Sequence, residues 1–381
     1  MTYFNRDHSQ RKNAWADVNG KSYWLEGNGH ASNEGLKSIG SFLTYFNWDH
    51  SQRKNAWADV NWNSYWLEGD GHASNEGLRD FGSFLTYFNW DHSQRKNAWA
   101  DVNWNSYWLE GDGHASNEGL RDFGSFLTYF NWDHSQRKNA WADVNWNSYW
   151  LEGDGHAAAW GSRDFGSFVT YFDANHVQAK NGWRNFGRGW GWYDGAGHMQ
   201  DVDLNHTWYS QLNQGAPQGC EGASLQIALS TVGRYANLQQ IYDSTWYGYF
   251  GDPWHNFWGN PWGHGGSTTE TVTAWRLADT TKWIYGGISD FTEANASQLI
   301  HELQLGHSVV TWANYYWDPW RSGGYHVMAI IGYKHGYFHI SDPYSTTQRE
   351  YWISVAEWEY VNSNTTASGW NLPRSMNLVV R

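Results

Sequence analysis

The sequence predicts an all-β solenoid of tandem aromatic hairpins over residues 1–203, followed by a separate α+β globular domain over residues 204–381. A block of 42 residues recurs from Thr2 to Thr170 and fades near Asp203. Segments with helical and strand periodicity replace it beyond that point. The chain also contains 31 Trp, 24 Tyr and 17 Phe among 381 residues, a supply of ring faces that can stack on one another or bind sugars and cations. These three observations divide the protein into a repeat region and an ordinary domain.

Each copy of the repeat contains two related units of about 21 residues, because an aromatic pair followed by a polar turn occurs twice in it. In the first copy Asn19-Gly20, between Val18 and Lys21, is the signal of a two-residue hairpin turn, since this pair readily takes the positive φ of a type I′ turn. We therefore expect each unit to be a small hairpin. A lone hairpin is marginally stable in water, so its rings must be buried by stacking on the next unit.

The half-units resemble the choline-binding and glucan-binding cell-wall repeats of Gram-positive surface proteins, and Trp15 to Gly29 fits their pattern of a Trp, an Asn-Gly turn, an aromatic pair and a Gly. The resemblance covers about residues 1–200. It implies ligand pockets between successive hairpins, each lined by a Trp of one unit and the aromatic pair of the next. The ring residues implied are Trp15, Tyr23, Trp24, Trp57, Tyr65, Trp66, Trp99, Tyr107, Trp108, Trp141, Tyr149 and Trp150.

Two departures leave the ligand of these repeats open. The alternate half-unit has Gly35-Leu36 where the family has Gly-Trp, and later copies replace Gly-Lys by Trp62-Asn63, which weakens the turn and adds a ring. A choline site needs a closed aromatic cage, whereas a glucan needs an open ring platform with polar neighbours. The sequence favours open platforms and a glucan or choline-bearing polymer as partner. The alternative is that the rings only fill the core of the solenoid.

Composition excludes several other functions. The net charge of −13 and the pI near 5.7 lack the positive footprint that binds nucleic acid. No apolar run approaches the roughly 18 residues of a membrane span. The Asp49-His50 pairs and the GDGH runs match no metal loop and fit turns, and the single Cys220 excludes a cysteine-based zinc site, so we expect neither metal nor cofactor.

The beginning of the chain bears on its localisation. Met1 starts in the middle of a repeat and is followed by no secretory signal. We therefore expect a truncated chain whose upstream repeats and export signal are missing. The expected localisation is extracellular or at the cell surface, where repeats of this kind bind.

The second half contains a candidate nucleophile. Cys220 precedes the apolar positions Leu225, Ala228, Leu229 and Val232, whose spacing predicts a helix that begins at the cysteine. At a helix N-terminus, unpaired N–H groups and the helix dipole favour the thiolate, so we expect a lowered thiol pKa. The alternative is an inert buried cysteine, which would favour an apolar flank and a position inside an element.

A thiolate nucleophile needs a base and a group that orients the base. His326 begins a predicted strand that continues to Tyr333, and a second predicted strand from Tyr337 ends at Asp342. With a three-residue turn over residues 334–336, Tyr333 would pair with Tyr337 and Asp342 would lie on the face of His326. The sequence therefore predicts a His–carboxylate pair in this hairpin, although His326 as a structural residue at a strand edge stays open.

These blocks resemble the papain-like cysteine peptidases of the bacteriocin-processing type, the double-glycine leader peptidase-like proteins, with Gly-Cys-Glu at the start of the catalytic helix. The resemblance implies a papain-like α+β domain with Cys220 as nucleophile, His326 as general base, Asp342 as the residue that orients it, and Gln214 as oxyanion donor. Gln218 lies nearer to the cysteine and is the alternative donor.

Together these features predict a secreted or surface cysteine peptidase-like hydrolase that its repeats target to cell-wall or exopolysaccharide glycan and that acts on a peptide or isopeptide bond. The alternative is a non-catalytic adhesin with an inactive peptidase-like domain. Aromatic residues of the second half form either a substrate cleft or domain core. They are the stretch Trp246 to Trp262, with Tyr315, Tyr316, Trp317 and Trp320.

Overall fold

The computed structural model describes residues 1–264 and 269–381. These residues form two compact units, Met1–Ala158 and Ala159–Arg381. The boundary between the units comes earlier in the chain than the end of the repeat. The reason is that residues 182–204, which belong to the decayed repeat, form strands of the sheet of the second unit. The sequence prediction places the division at residue 203, where the 42-residue period fades, whereas the two compact units divide within the fourth copy.

The first unit is a series of two-stranded antiparallel hairpins, as the sequence predicts. Consecutive hairpins use alternate half-units of the 42-residue repeat. The hairpins are β1 (Ala14–Val18) with β2 (Lys21–Leu25), β3 (Gly35–Ile39) with β4 (Phe42–Phe46), β5 (Ala56–Val60) with β6 (Asn63–Leu67), β7 (Gly77–Asp80) with β8 (Leu85–Phe88), β9 (Ala98–Val102) with β10 (Asn105–Leu109), β11 (Gly119–Asp122) with β12 (Leu127–Phe130), and β13 (Ala140–Val144) with β14 (Asn147–Leu151).

The turns confirm the predicted hairpin chemistry. Val18 pairs with Lys21 across a two-residue turn in which Asn19 has φ +51° and Gly20 has φ +77°. In the second copy Asn61 and Trp62 take φ +50° and +69°, so the same turn persists without the glycine. Positive φ is costly for a bulky side chain, and the Asn-Trp turn is therefore formed at a conformational cost.

Polar side chains connect one hairpin to the next. The Thr44 hydroxyl donates to the carbonyl oxygen of Gly71 at 2.7 Å and accepts from the Gln52 amide at 3.1 Å, and all three groups are buried. The same pair of hydrogen bonds recurs in the following two copies. Because the bond from Thr44 to Gly71 and its equivalents join one half-unit to the next, the stack is stabilised by contacts between nearest neighbours.

The second unit combines a large antiparallel sheet with five helices in the part of the chain that the structure describes. Its strands are β15 (Gly161–Asp164), β16 (Val169–Phe172), β17 (Gly182–Asn185), β18 (Gly189–Tyr193), β19 (Met199–Leu204), β20 (Tyr247–Gly248), β21 (Phe257–Trp258), β22 (Ile288–Asp290), β23 (Ser308–Asn314), β24 (Tyr325–Lys334), β25 (Tyr337–Ser341), β26 (Glu350–Ser354) and β27 (Asn377–Val380). Its helices are α1 (Cys220–Thr231), α2 (Leu238–Thr245), α3 (Ala274–Thr281), α4 (Ala296–Gln304) and α5 (Val355–Asn364). The predicted fold class, hairpin repeats followed by a mixed α and β domain, is confirmed.

The large sheet has the strand order β17-β18-β19-β24-β23-β27-β22, with β25 beside β24 and β26 beside β25. Alternate residues of β23 enter two different cores: Val310 packs with α1, α2 and α3, whereas Val309 packs with β19, α4 and α5. Helix α1 is buried on almost every side and packs on β24. This packing brings the helix start, Cys220, next to the start of β24. None of the described helices has both the length and the apolarity that crossing a membrane requires.

Candidate active site

Cys220 and His326 line one cavity of about 360 Å³ in the second unit. The Ser224 hydroxyl of α1 donates to the carbonyl oxygen of Val327, the residue after His326, at 2.9 Å. This bond holds the beginning of α1 against the start of β24. The other lining residues are Gln211, Pro217, Gln218, Tyr315, Tyr316, Gly323, Tyr325 and Tyr344.

Cys220 is the first residue of α1, as the sequence predicts, and its side chain is buried, with 9% of the residue exposed. Its Sγ–H donates to Glu221 Oε2 at 3.2 Å. Burial, followed by the Glu221 carboxylate, raises the pKa of the thiol well above its ordinary value. The expectation of a lowered thiol pKa is wrong for this resting geometry, because desolvation and a neighbouring acid outweigh the N–H groups that favour the thiolate.

Glu221 is a functional-site residue that the sequence reasoning did not single out. It is fully buried, and burial raises its pKa to about 7. Its Oε1 accepts from the Thr271 hydroxyl at 2.8 Å, and that hydroxyl lies 3.1 Å from the hydroxyl of Tyr325, which lines the cavity. A carboxyl group with this pKa beside the thiol changes charge near neutral pH and thereby changes the cost of forming a thiolate.

His326 forms the predicted pair with Asp342: its Nε2 lies 2.8 Å from Asp342 Oδ1, and both residues are buried. Asp342 Oδ1 also accepts from the Tyr344 N–H at 2.9 Å, and Oδ2 lies 3.2 Å from Arg349 Nε. Burial opposes ionisation of Asp342, but His326 and these partners lower its pKa below the ordinary value. Because Nε2 is bound to Asp342, Nδ1 is the ring nitrogen left to exchange a proton.

The register of the β24–β25 hairpin differs from the prediction near the turn and agrees with it near the site. Lys334 pairs with Tyr337 and Tyr333 with Phe338, so the turn has two residues rather than three. An irregularity between Ile330 and Gly332 then shifts the pairing by one residue, and Ala329 pairs with Ser341. That offset is the predicted one. The bulge therefore compensates for the shorter turn and leaves Asp342 within reach of His326.

The structure places Gln214, the donor implied by the resemblance, outside the residues that line the cavity. Its Nε2 donates to the Ser210 carbonyl at 3.0 Å and to Gln226 Oε1 on α1 at 2.9 Å. Gln218, the alternative, lines the cavity but donates to the His264 carbonyl at 3.1 Å.

Gln211 also lines the cavity, and the sequence reasoning missed it. It is buried, and its Nε2 donates to the carbonyl of Pro217 at 2.8 Å, which uses one of its two N–H groups. A hydrogen bond from the Ala216 N–H to the Gln211 carbonyl folds the loop back and brings Gln211 beside the helix start. No spacing rule reveals such a loop, because its closure depends on contacts with residue 343, whose carbonyl accepts from the Gln211 N–H.

Of the aromatic residues of the second half that were candidates for a substrate cleft, only some line the cavity at Cys220. Tyr315 and Tyr316 line the cavity, and the Tyr315 and Tyr344 rings each lie 5.8 Å from the His326 ring. Trp262 lines a different cavity of about 500 Å³ with Tyr247 and Tyr249. Trp317 packs on Tyr351, and Trp320 is largely exposed. The cleft at the cysteine is therefore built from tyrosines, while the Trp246–Trp262 stretch and the tryptophans lie elsewhere.

In the repeats, the predicted ring residues separate into two classes. Tyr23, Tyr65, Tyr107 and Tyr149 are buried in the hairpin cores. The tryptophans are half-buried and form cross-strand pairs with ring centroids 5.5 Å apart. These pairs are Trp15 with Trp24, Trp57 with Trp66, Trp99 with Trp108, and Trp141 with Trp150. The tyrosines therefore serve packing, and the tryptophan pairs are the members of the set that present ring surface to solvent.

Further rings, which the sequence reasoning did not assign to ligand binding, are far more exposed. Trp62 and Trp104 at hairpin turns are 99% and 100% exposed, and Trp90 and Trp132 in the loops that follow are 80% exposed. Their repetition was visible in the sequence, but their exposure depends on which way the turns face.

The Asp-His pairs act as turns. Asp49 Oδ1 accepts from the N–H and the hydroxyl of Ser51, and His50 has φ +68° with its Nδ1 2.9 Å from the Ser32 carbonyl. Within residues 1–264 and 269–381, no three His, Cys, Asp or Glu side chains are grouped so that they could hold a metal ion. The turn interpretation accounts for the recurring contacts of these pairs.

Residues 203–370 match the model of the Peptidase_C39 like family. The C-terminal region is therefore a Peptidase_C39-like domain. The predicted peptidase-like domain of the C-terminal region is confirmed by this match, and the residues that line the cavity described above lie within the matched range. No curated protein matches the sequence of the chain.

The solved structures that the chain partly matches include three proteins of Streptococcus pneumoniae. The modular autolysin LytC, solved in complex with synthetic peptidoglycan ligand, is 16% identical with a TM-score of 0.46, over 54% of this chain and 48% of that one. The choline-binding domain of CbpL is 20% identical with a TM-score of 0.41, over 49% of this chain and 96% of that domain. Choline binding protein F, solved with a peptidoglycan analogue, is 15% identical with a TM-score of 0.37, over 52% of this chain and 83% of that one. The chain thus spans about half the length of the autolysin.

Proposed function

We propose that this protein is a secreted or surface cysteine peptidase-like hydrolase, which its repeats hold on cell-wall or extracellular glycan. The observation that carries the proposal is the cavity shared by Cys220 and His326, with His326 bound to the buried Asp342 at 2.8 Å. A nucleophile, a base beside it and a carboxylate that orients the base are the parts that acyl transfer through a thiolate needs. The match of residues 203–370 to a peptidase family supports the same reaction class.

In the proposed reaction, the Cys220 proton moves to His326 Nδ1 as the sulfur attacks the acyl carbon of a peptide or isopeptide bond. Because burial and Glu221 raise the thiol pKa, the thiolate forms together with the imidazolium rather than before it. Asp342 stabilises that imidazolium and fixes the ring. The C–N bond then breaks, the imidazolium protonates the leaving amine, and water hydrolyses the thioester to regenerate the thiol.

The oxyanion of the tetrahedral intermediate needs donors that are already in place. The peptide N–H of Cys220 is one, because the first N–H groups of a helix have no partner within it. Gln211 is the side-chain donor that we propose in place of Gln214, because its amide borders the cavity and retains one N–H beyond its bond to Pro217.

The repeats contribute position rather than chemistry in this proposal. Their half-buried tryptophan pairs offer ring surface of the kind that sugars stack on. Attachment to a polymer raises the local concentration of the hydrolase near bonds in that polymer or in its neighbours, without any new contact at the cysteine.

The experiment that tests the site compares the rate of Cys220 alkylation by iodoacetamide at pH 6 in the unchanged protein and in His326→Ala. Cys220 is the only cysteine in the chain, so mass spectrometry reports one site. We expect the histidine variant to react at least 10-fold more slowly, because the imidazolium that stabilises the thiolate is gone. A peptide-library cleavage profile of the unchanged protein, with Cys220→Ser as control, then identifies the scissile bond.

A non-catalytic adhesin is the second candidate, and the buried thiol with its raised pKa favours it. Equal and slow alkylation in both proteins, together with no cleavage of the library, would establish this alternative. The repeats would then be the functional part, and the Peptidase_C39-like domain would serve binding.

A further inference from the structure

A cleft of about 550 Å³ lies between the turn of the first copy, which joins β1 to β2, and the loop after β4 at the start of the second copy. Gly20 and Lys21 line it from the turn, and Trp48 and Asp49 line it from the loop. The Lys21 ammonium lies within the cleft and contacts Asp49 Oδ2 at 2.7 Å. In this copy, the chain itself supplies a cation to a carboxylate beside an exposed indole ring.

The turns of the second and third copies make the same backbone contacts to the loops that face them, so an equivalent cleft is framed at each turn. The N–H of Gln52 donates to the Ser22 carbonyl at 2.8 Å, and Gln94 makes the equivalent bond to Ser64 at 2.8 Å. Lys96 Nζ donates to the Ser64 hydroxyl at 2.9 Å, as Lys54 does to Ser22 at 3.1 Å. The third copy repeats both contacts through residues 136, 138 and 106. The turn and the following loop therefore face each other in all three copies.

Two substitutions distinguish the later clefts from the first. Asn63 and Asn105 stand where the first copy has Lys21, so the chain no longer supplies the ammonium. Asp91 and Asp133 retain the loop conformation, since each Oδ1 still accepts from the serine two residues later. Among the described residues, neither carboxylate has a lysine or arginine within ion-pair distance.

Both carboxylates are ionised at neutral pH. The hydroxyl of the serine two residues later, together with its N–H, lowers the pKa of Asp91 and of Asp133 in spite of some burial. Burial, and then the Asp133 carboxylate, raise the pKa of the buried Tyr107. The negative charge therefore lies close to strand β10, at the wall of the cleft.

The second substitution places Trp62 and Trp104 where the first copy has Gly20. Each takes φ +69° and is almost fully exposed. The chain thus bears the cost of positive φ for a bulky residue without gaining any burial. Trp90 and Trp132, the counterparts of Trp48, add a second exposed ring to each cleft. A cation near two indole rings is attracted to their faces.

We propose that each of these two clefts binds a primary ammonium group at the end of an aliphatic chain. The ammonium takes the place of the Lys21 ammonium and donates to Oδ2 of Asp91 or Asp133. It lies beside the exposed tryptophans of that cleft, Trp62 with Trp90 or Trp104 with Trp132. Lys96 does not exclude it, because Lys54 occupies the equivalent position next to Lys21 in the first copy. A primary rather than a quaternary ammonium fits, since the contact that it replaces is a charge-assisted N–H···O bond. These clefts use different rings from the Trp57–Trp66 pairs, and the inference does not depend on the proposed hydrolase.

The test titrates the full chain with Nα-acetyl-L-lysine methylamide and with putrescine by calorimetry, and uses Nα-acetyl-norleucine methylamide as the uncharged control ligand. We expect two equivalent sites for an ammonium probe and none for the control. The informative variant is the double change Asn63→Lys with Asn105→Lys, which should fill both clefts with internal ammonium groups and weaken binding at least 10-fold. Lys21 shows that a lysine is compatible with this fold.

A reciprocal variant, Gly20→Trp with Lys21→Asn, should raise the number of sites from two to three. Tighter binding of the lysine amide identifies a peptide side chain as the source of the ammonium, and tighter binding of putrescine identifies a free amine; either supports the proposal. Binding of neither probe, or equal binding to the Asn63→Lys, Asn105→Lys protein, would overturn it. A failure to detect hydrolase activity in a separate assay would change neither the result that supports the ammonium sites nor the result that overturns them.

Discussion

The two units of this protein use buried polar groups in opposite ways. In the repeats, a threonine, a glutamine and a glycine carbonyl form the same small network in successive copies. In the C-terminal domain, Cys220, Glu221, His326 and Asp342 each occur once and converge near one cavity. A substitution in a repeat therefore removes one of several equivalent contacts, whereas a substitution at the cavity removes a contact that no other residue supplies.

The largest effect that we expect on stability concerns Glu221. The folded state raises its pKa from 4.5 to about 7, so the unfolded chain releases the proton at lower pH than the folded one. The free energy of unfolding should therefore fall as pH rises between these two values, by about 3 kcal/mol. Glu221→Gln should remove this fall. Alkylation of Cys220 as a function of urea concentration, measured across this pH range, reports unfolding of the unit.

The matched control is Glu359→Gln, an exposed glutamate in the same unit, which should keep the pH dependence of the unchanged protein. If Glu221→Gln also kept it, ionisation of Glu221 would not be the cause of the pH dependence, and the contrast between the two units would weaken.

An intermediate effect is expected in the repeats at Gly71. A Cβ there would lie 2.3 Å from the Gln52 amide, at φ +85°, whereas at Gly82, with φ +80°, it would meet no atom within 4 Å. Gly82→Ala should cost about 1 kcal/mol for the backbone alone, and Gly71→Ala about 1–2 kcal/mol more because Gln52 must move. Hydrogen exchange of peptides from residues 1–158 measures both.

Because the copies are equivalent, adding Gly113→Ala to Gly71→Ala should roughly double the destabilisation in that region. Destabilisation that spread over the whole chain instead of the altered copy would contradict the nearest-neighbour description of the repeats.

The smallest effect that we expect is a gain in the stability of one repeat. Trp62→Gly restores the Asn-Gly turn of the first copy and removes a bulky residue from φ +69°. It should stabilise the second copy by up to about 1 kcal/mol. Trp90→Ala, which changes another largely exposed ring at a position without positive φ, should bring no such gain. A loss of stability in Trp62→Gly would mean that the exposed indole contributes to folding, and hydrogen exchange of the β5–β6 hairpin distinguishes the two results.

Local chemistry is what the sequence by itself determined. The Asn-Gly turn, repeated with the period of 42 residues, predicted the hairpins. The apolar spacing after Cys220 predicted the start of α1, and the alternation of two adjacent strands predicted the pairing of His326 with Asp342. Even there, the turn of the β24–β25 hairpin was one residue shorter than expected, and a bulge that no local signal marked restored the offset.

The tertiary structure alone decided the features that depend on distant contacts. Gln211 rather than Gln214 borders the cavity because the loop before α1 closes on residue 343. The thiol pKa is raised rather than lowered because α1 is buried on almost all sides and encloses Glu221. The hairpin of β17 and β18 belongs to the large sheet because β19 pairs with both β18 and β24. Burial and loop closure are sums over residues far apart in the chain, and no spacing within a segment encodes them.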